Sequence, residues 1–355
     1  MPSRLLHLSL AFAVGLLACA VGLLACATAA YGQDAVFSQY AANALYNNPG
    51  MAGLYEGELR ITASYRDQWR STTGHHPLRT YGATGELRYD VGGRDFLTVS
   101  ANVLRDESGE ARFRYSGGGL GLGMQKLLSG GRGRNANYLG FGGRVGFGQH
   151  TIDPSSLWFS SQLDTSTLAI APERRDGVAP GRAYLDMSAG VNYAVVRRKY
   201  SYTVGVGGHH LNWPNTSLLF QNNKRLEPRL TAMASAEFLM DGGLRLMPSA
   251  MGDFQGRSRR ITAGSGLYYR SEQRGDAGFR FGTYARLTNG TEADAVLEAI
   301  IFQAQVEINE LTVGVSYDVN TGAIGRTVDA RGAYELSLSW VKAKKSRYRV
   351  ACPKL

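Results

Sequence analysis

Hydrophobic and polar residues alternate with a period of two along most of the chain beyond residue 56. In the first such run Leu59 and Ile61 fall on one face, whereas Arg60 falls between them on the other. Side chains of a β-strand point alternately to its two faces, so each run predicts a strand. Beyond residue 56 no stretch of about 18 apolar residues predicts a membrane-spanning helix.

The spacing of these runs predicts an all-β fold, an outer-membrane antiparallel β-barrel of about 14 strands over residues 57–342. The faces opposite the apolar ones carry charge in mid-strand, which a hydrated lumen accommodates: Arg60, Glu86, Asp186, Glu237, Arg280 and Arg286. Aromatic residues at strand ends fit the two interfacial girdles of such a barrel: Tyr65, Trp69, Tyr89, Tyr269, Tyr317 and Trp340. The stretch "DAVLEAII" at 294–301 fits a short helix equally well.

A soluble β-sandwich would show the same alternation, with the charged faces in bulk water. So many strands would normally divide into two sandwich domains, yet the sequence contains no Pro/Ser-rich linker or composition break. The membrane barrel is therefore the favoured interpretation. The longest connection, 151–182, is expected to be an external loop that caps the barrel or contacts a partner.

Residues 1–32 have the layout of a secretory signal, with Arg4 before a long apolar run and "ATAA" after it. Three outcomes are open for this leader: cleavage near Gln33, lipidation at Cys26 within the second "LLAC", or retention as an anchor. Each of them places the rest of the protein outside the cytoplasm.

The segment 33–56, which contains "QDAVFSQYAANALYNNPGMAGL", precedes the first strand. It should therefore enter the barrel from the periplasmic side. Its tyrosines and its Asn-Asn-Pro-Gly turn suit a short packed plug or a docking segment, and a turn that merely caps the barrel is the alternative. The chain ends in a basic tail at 343–355.

Composition excludes several functional classes. The formal net charge is +10, but Lys and Arg are spread along the whole chain, so we expect no nucleic-acid partner. Of the three cysteines, Cys19 and Cys26 lie in the leader, so a mature chain that keeps only Cys352 has no disulfide framework.

No constellation of residues predicts catalysis, a cofactor or a metal site. His75 and His76 are adjacent, as are His209 and His210, and neighbours in a strand point to opposite faces. The glycine-rich run from Ser116 lacks the spacing and the lysine of a phosphate-binding loop. We therefore expect a protein that is not an enzyme.

Several motifs together resemble the PorP/SprF family of type IX secretion system membrane proteins. They are "FSQYAANALYNNPGMAGL", "YRDQWRSTTGHHPLRTYGATGEL", "GGHHLNWPNTSL", "GVSYDVNTG" and the final "ACPKL", in that order. The resemblance implies a non-enzymatic outer-membrane barrel in bacteria that use this export and gliding machinery. It also implies two kinds of protein partner, periplasmic ring and motor components and secreted adhesin-type cargo, beside the outer-membrane lipid.

The resemblance also assigns motif residues, which are Phe37, Gln39, Tyr40, Asn48, Pro49, Gly53, Arg66, Gln68, Trp69, His210, Leu211, Pro214, Tyr317, Asp318, Asn320, Cys352 and Pro353. From these and Tyr46 we predict a partner-binding set consisting of Phe37, Gln39, Tyr40, Tyr46, Asn48, Pro49, Arg66, Gln68, Trp69, His210 and Pro214. The sequence departs from the family in ending on Leu355 rather than an aromatic residue. The functional hypothesis is docking of secretion partners, and the runner-up is a porin or transporter for small molecules.

Overall fold

The structure is a computed structural model of the chain. It describes residues 34–343 except 71–77, 93, 110, 131–134, 154, 156–161, 165–168, 171–180, 219–224, 271–276, 290–294 and 328–330. The predictions for the leader 1–32, for His75 and His76, and for Cys26, Cys352 and Pro353 in the two terminal regions lie outside the described residues. Within the described part of the chain, none of the helices has the length and apolar character needed to cross a membrane.

Fourteen strands form one closed antiparallel barrel. They are β1 (Leu59–Gln68), β2 (Leu78–Val91), β3 (Asp95–Ser108), β4 (Phe113–Gly130), β5 (Ala136–Thr151), β8 (Ala183–Val196), β9 (Tyr200–His209), β10 (Arg229–Leu239), β11 (Arg245–Gln255), β12 (Ser258–Arg270), β13 (Ala277–Asn289), β14 (Ala295–Ile308), β15 (Leu311–Asn320) and β16 (Arg331–Lys342). The last strand pairs with the first, with Lys342 opposite Leu59, which closes the barrel. The predicted fold class and strand number are confirmed.

Smaller elements lie between these strands. The long connection after β5 contains a two-stranded sheet of β6 (Leu163–Asp164) and β7 (Ala169–Ile170). A short helix α1 (Ala44–Asn47) and a 3₁₀ turn (Pro49–Met51) precede β1, and α2 (Gly322–Thr327) follows β15. Residues 295–301 of the ambiguous stretch form the start of β14, so the helical alternative for them was wrong.

The outer wall carries the apolar side chains that the alternation placed on one face. Leu120, Phe281 and Val103 are among the most exposed, at 69%, 67% and 61%. A continuous apolar surface of this kind indicates contact with lipid. Four of the predicted girdle residues, Tyr89, Tyr269, Tyr317 and Trp340, are also exposed.

The two ends of the barrel differ in the length of their connections. The end where β1 begins, here called the turn end, has the connections 92–94, 131–135, 197–199, 240–244, 271–276 and 309–310. The opposite end, here called the loop end, has 69–77, 109–112, 152–182, 210–228, 256–257, 290–294 and 321–330. Outer-membrane barrels have short turns on the periplasmic side and longer loops outside. The loop end is therefore the external end.

The charged residues that the alternation placed in the lumen do point inward, but three of the six are buried. Glu86, Asp186 and Arg286 are 1%, 2% and 3% exposed. The expectation of a hydrated lumen was wrong for these residues, because another part of the chain covers them.

Candidate functional site in the barrel lumen

Residues 34–56, here called the lumenal segment, run through the barrel from the loop end to the turn end. At the loop end, the N–H of Asp34 donates to the side chain of Gln255, the last residue of β11, at 2.9 Å. At the turn end, the Tyr55 hydroxyl donates to the carbonyl of Glu58, just before β1, at 3.1 Å. The segment thus joins β1 at the expected end, but its first described residue lies at the opposite end of the barrel.

Apolar side chains of the lumenal segment are almost fully enclosed, although the lumen wall is polar. The buried ones are Phe37, Tyr40, Ala44, Leu45, Met51, Ala52, Leu54 and Tyr55. Several of them pack with inward-facing Phe96, Tyr138, Met233 and Met251 in one hydrophobic cluster. Burial of apolar area in this cluster stabilises the seated segment.

A buried carboxylate on β16 holds the first part of the segment. The side chain of Glu335 accepts the backbone N–H groups of Ser38 and Gln39 at 2.7 and 2.9 Å. The amide of Gln39 in turn donates to the Glu335 carbonyl at 3.2 Å and accepts from the hydroxyl of Ser337 at 2.8 Å. Two neighbouring backbone donors of the segment are therefore satisfied by one carboxylate, a charge-assisted arrangement.

Two arginines and a second carboxylate surround this contact. Arg66 on β1 and Arg286 on β13 both lie 2.9 Å from Asp318 on β15, and Arg66 also lies 3.4 Å from Glu335. The Ser38 hydroxyl donates to the same Asp318 carboxylate at 2.8 Å. All five residues are at most 4% exposed. A buried ion cluster of this kind requires its full set of partners.

A second ionic cluster fixes the start of the segment at the loop end. The ring of His210, in the loop after β9, contacts Asp34 through Nε2 at 2.7 Å and Asp186 of β8 through Nδ1 at 2.8 Å. Burial alone would lower the pKa of His210, but the two carboxylates outweigh it and raise the pKa to about 9. Both ring nitrogens therefore donate, as only the cationic ring can.

Asp34 is held in its charged form by the same contacts. Burial would raise the pKa of Asp34, but His210 and Arg229 together hold it well below its usual range. Arg229 lies 3.6 Å from Asp34 and 2.8 Å from Asp253 of β11. Alternating charges thus hold the start of the segment at the loop end.

The Asn-Asn-Pro-Gly turn lies against a glycine-lined part of the wall. The Asn48 side chain caps the 3₁₀ turn by accepting from the N–H of Gly50 at 2.8 Å and donates to the Val191 carbonyl at 3.1 Å. A Cβ atom on Gly142 of β5 would lie 2.2 Å from the Pro49 carbonyl oxygen. Only glycine on the wall allows this close approach of two backbones.

The two tyrosines predicted to bind partners pack inside the barrel. Tyr40 shares a hydrogen bond of 2.7 Å with Ser249 and meets the ring of Tyr284 edge-on at 5.9 Å. Tyr46 meets the ring of Phe37 edge-on at 6.2 Å, and the guanidinium of Arg229 lies 5.2 Å from the Tyr46 ring. Both side chains therefore contact the barrel wall or the segment itself.

Most residues of the predicted partner-binding set thus make contacts inside the protein. Phe37, Gln39, Tyr40, Asn48, Pro49, Arg66, His210 and Pro214 are buried, and Tyr46, Gln68 and Trp69 are half-buried. Trp69 and His210 both adopt the left-handed backbone region, with φ of 57° and 56°. Whether these residues bind partners stays a prediction.

Sequence reasoning did not assign Ser38, Asp34, Arg229 or Glu335 to the site. Their contacts join residues far apart in the chain, such as Ser38 and Glu335, which are separated by 297 positions. The available signal was a charge on the inward face of a strand, which had singled out Arg286 and Asp186 but no specific partner. Among the described residues, no group of three or more His, Cys, Asp and Glu is placed to hold a metal ion.

Comparison with known proteins gives one family match for this chain. Residues 29–340 match the family model described as "Type IX secretion system membrane protein PorP/SprF". No curated protein sequence matches the chain.

Two solved structures are similar to this chain at low sequence identity. CymD, a monoaromatic hydrocarbon channel, has a TM-score of 0.50 at 10% identity over 89% of this chain and 96% of that one. CdiB from Acinetobacter baumannii has a TM-score of 0.45 at 10% identity over 80% of this chain. The chain spans 60% of the length of that CdiB structure.

Proposed function

This chain belongs to the PorP/SprF family of type IX secretion system membrane proteins, and we propose that it is a plugged docking platform in that machinery. It is an outer-membrane β-barrel component of the secretion system, a class not known as enzymatic. In the proposal, the loop end receives secreted adhesin-type cargo, and the turn end receives periplasmic ring and motor proteins. The lumenal segment acts as the plug, in a domain arrangement of leader 1–32, plug 33–56, barrel 57–342 and tail 343–355.

The observation that carries the proposal is the lumenal segment itself. It crosses the barrel between both ends and is fastened by ionic clusters on several strands. A docking platform needs ends of fixed shape, and a buried network of ion pairs and hydrogen bonds gives such rigidity. In the proposal, the predicted partner-binding residues hold the plug in place, and the plug fixes the shape of the two ends of the barrel.

The runner-up function, a porin or transporter, requires a path through the lumen or the wall. A cavity in the described part of the lumen, lined by Tyr40, Tyr202, Arg280 and Tyr284, has a volume of about 40 Å³. That is room for one or a few water molecules and far below the roughly 300–1,000 Å³ of ordinary small-molecule sites. The docking function therefore has the better support.

Affinity capture from outer membranes tests the proposal. We expect the tagged wild-type protein to co-purify adhesin-type cargo and ring components. Replacing Tyr40 and Tyr46 with alanine should abolish cargo export and cargo capture, because each substitution removes an aromatic side chain packed in the plug.

The matched control replaces Tyr89 and Tyr269, two exposed tyrosines of the outer wall, with alanine. Heat-modifiable gel mobility confirms that each barrel is folded. Unchanged export in the plug variant, or capture of neither partner class by the wild type together with solute leakage from liposomes, would reject the proposal.

A further inference from the structure

The outer wall carries a groove of about 630 Å³ that spans β16, β1, β2, β3, β4 and β5. The strand register sets the row of outward residues along it, which is Leu338, Ala63, Ala83, Val103, Gly118 and Phe147. Small residues in this row, flanked by larger apolar ones, leave the depression. The groove lies in the half of the wall nearer the loop end and is lined mainly by apolar side chains.

The next outward row toward the loop end is aromatic and basic. It consists of Leu336, Tyr65, Tyr81, Arg105 and Ser116. The ring of Tyr65 lies 5.1 Å from that of Tyr81 and 6.0 Å from that of Tyr334 in the following row. Tyrosines at this depth mark the boundary between hydrocarbon and headgroups.

Among the described residues, four arginines in this row and beyond it toward the loop end pair with two carboxylates. Arg70 and Arg79 lie 3.6 and 3.5 Å from Asp67. Arg105 and Arg114 lie 3.5 and 3.3 Å from Glu107. The rim is therefore cationic over an apolar groove.

The guanidinium groups of this rim are accessible from the membrane side. The side chains of Arg79 and Arg105 are 39% and 51% exposed, and their ion pairs are long, so donors remain available. A guanidinium pairs with phosphate through two parallel hydrogen bonds. The loop end faces outward, so an acidic lipid at this position belongs to the outer leaflet.

We propose that this groove binds an acyl chain of lipopolysaccharide, while Arg79 and Arg105 hold a phosphate of its lipid A headgroup. The volume lies within the roughly 300–1,000 Å³ typical of ligand sites. The apolar groove would face the acyl chain, the tyrosines would lie at the interface, and the arginines would face the phosphate. This is the order of the same parts in lipid A. The proposal rests on the outer-membrane fold and is independent of the docking function.

The test is native mass spectrometry of protein purified in mild detergent and titrated with lipid A or with phosphatidylglycerol. Wild type should retain one lipid A in preference to phosphatidylglycerol. Replacing both arginines, in R79Q/R105Q, should lower lipid A retention at least about tenfold because the charge-assisted bonds are lost. Ala83→Phe, which fills the groove and keeps the arginines, should do the same.

Arg259→Gln is the matched control, because Arg259 is an arginine on β12, on the other side of the barrel, and retention should be unchanged. Heat-modifiable mobility again confirms folding of each variant. No retained lipid A, equal retention by R79Q/R105Q and the control, or equal binding of phosphatidylglycerol would overturn the proposal.

Discussion

At the scale of single residues, Glu335 shows that an inward charge on a strand can bind the lumenal segment instead of lining a hydrated pore. Its carboxylate accepts two backbone N–H groups of the lumenal segment and lies beside Arg66. Removing the charge leaves Arg66 with one carboxylate partner, Asp318, and presents a side-chain amide to the backbone donors of the segment. Such a loss inside a buried ion cluster is costly.

We expect Glu335→Gln to weaken the seating of the segment by about 3–5 kcal/mol, the usual effect of removing one partner of a buried pair. Amide hydrogen exchange at Ser38 and Gln39 should accelerate accordingly. Glu237→Gln is the control, because the Glu237–Arg245 pair is more exposed and should change exchange little. Equal exchange in the two variants would contradict the assigned role.

Substituting two glycines of the wall distinguishes the effect of close packing against the segment from the effect of adding a side chain to a strand. Gly142→Ala places a methyl group 2.2 Å from the Pro49 carbonyl and should displace the Asn-Asn-Pro-Gly turn, whereas a Cβ on Gly85 meets nothing within 4 Å. Limited proteolysis should therefore cleave the segment in Gly142→Ala and spare it in Gly85→Ala. Protection of both variants would show that the close approach is unimportant.

At the scale of elements, the lumenal segment could be located from the sequence but its path could not. The turn chemistry of "NNPG" and the tyrosines indicated a packed segment before β1. The bonds that seat it, however, join Asp34 to His210 and Ser38 to Glu335 across the barrel. Such pairings depend on tertiary packing, which a period-two pattern does not encode.

The start of this segment should respond to alkaline pH. Since the folded pKa of His210 is about 9, against an ordinary 6.5, its stabilising charge is complete below about 6.5 and is lost as the pH rises through 9. The charged and titratable groups around the ring are Asp34, Asp186, Arg144, His150, His209 and Arg229. Asp34 keeps its charge throughout this range because its pKa is lowered.

A spin label on Ala35→Cys should therefore become more mobile between pH 7 and pH 10. In His210→Gln, which has no titrating ring, the label should be mobile at both values and show no such step. A label that remains immobile at pH 10 in the parent protein would contradict the ionic anchoring of this end.

At the scale of the whole molecule, alternation was sufficient to predict the barrel and its 14 strands. Outward apolar residues such as Leu120 and Phe281 and inward charges such as Glu86 follow it directly. The state of the lumen did not follow, because inward charge fits a water-filled channel and a plugged one equally well. Only the contacts of the lumenal segment distinguish the two.

Conductance of the purified protein in planar bilayers tests the plugged barrel most directly. The wild type should show no steady channel, because the lumenal segment fills the lumen. A variant lacking residues 34–56, or Gly142→Ala if that deletion does not fold, should open one. A wild-type conductance as large as that of the segment-deficient variant would contradict the account.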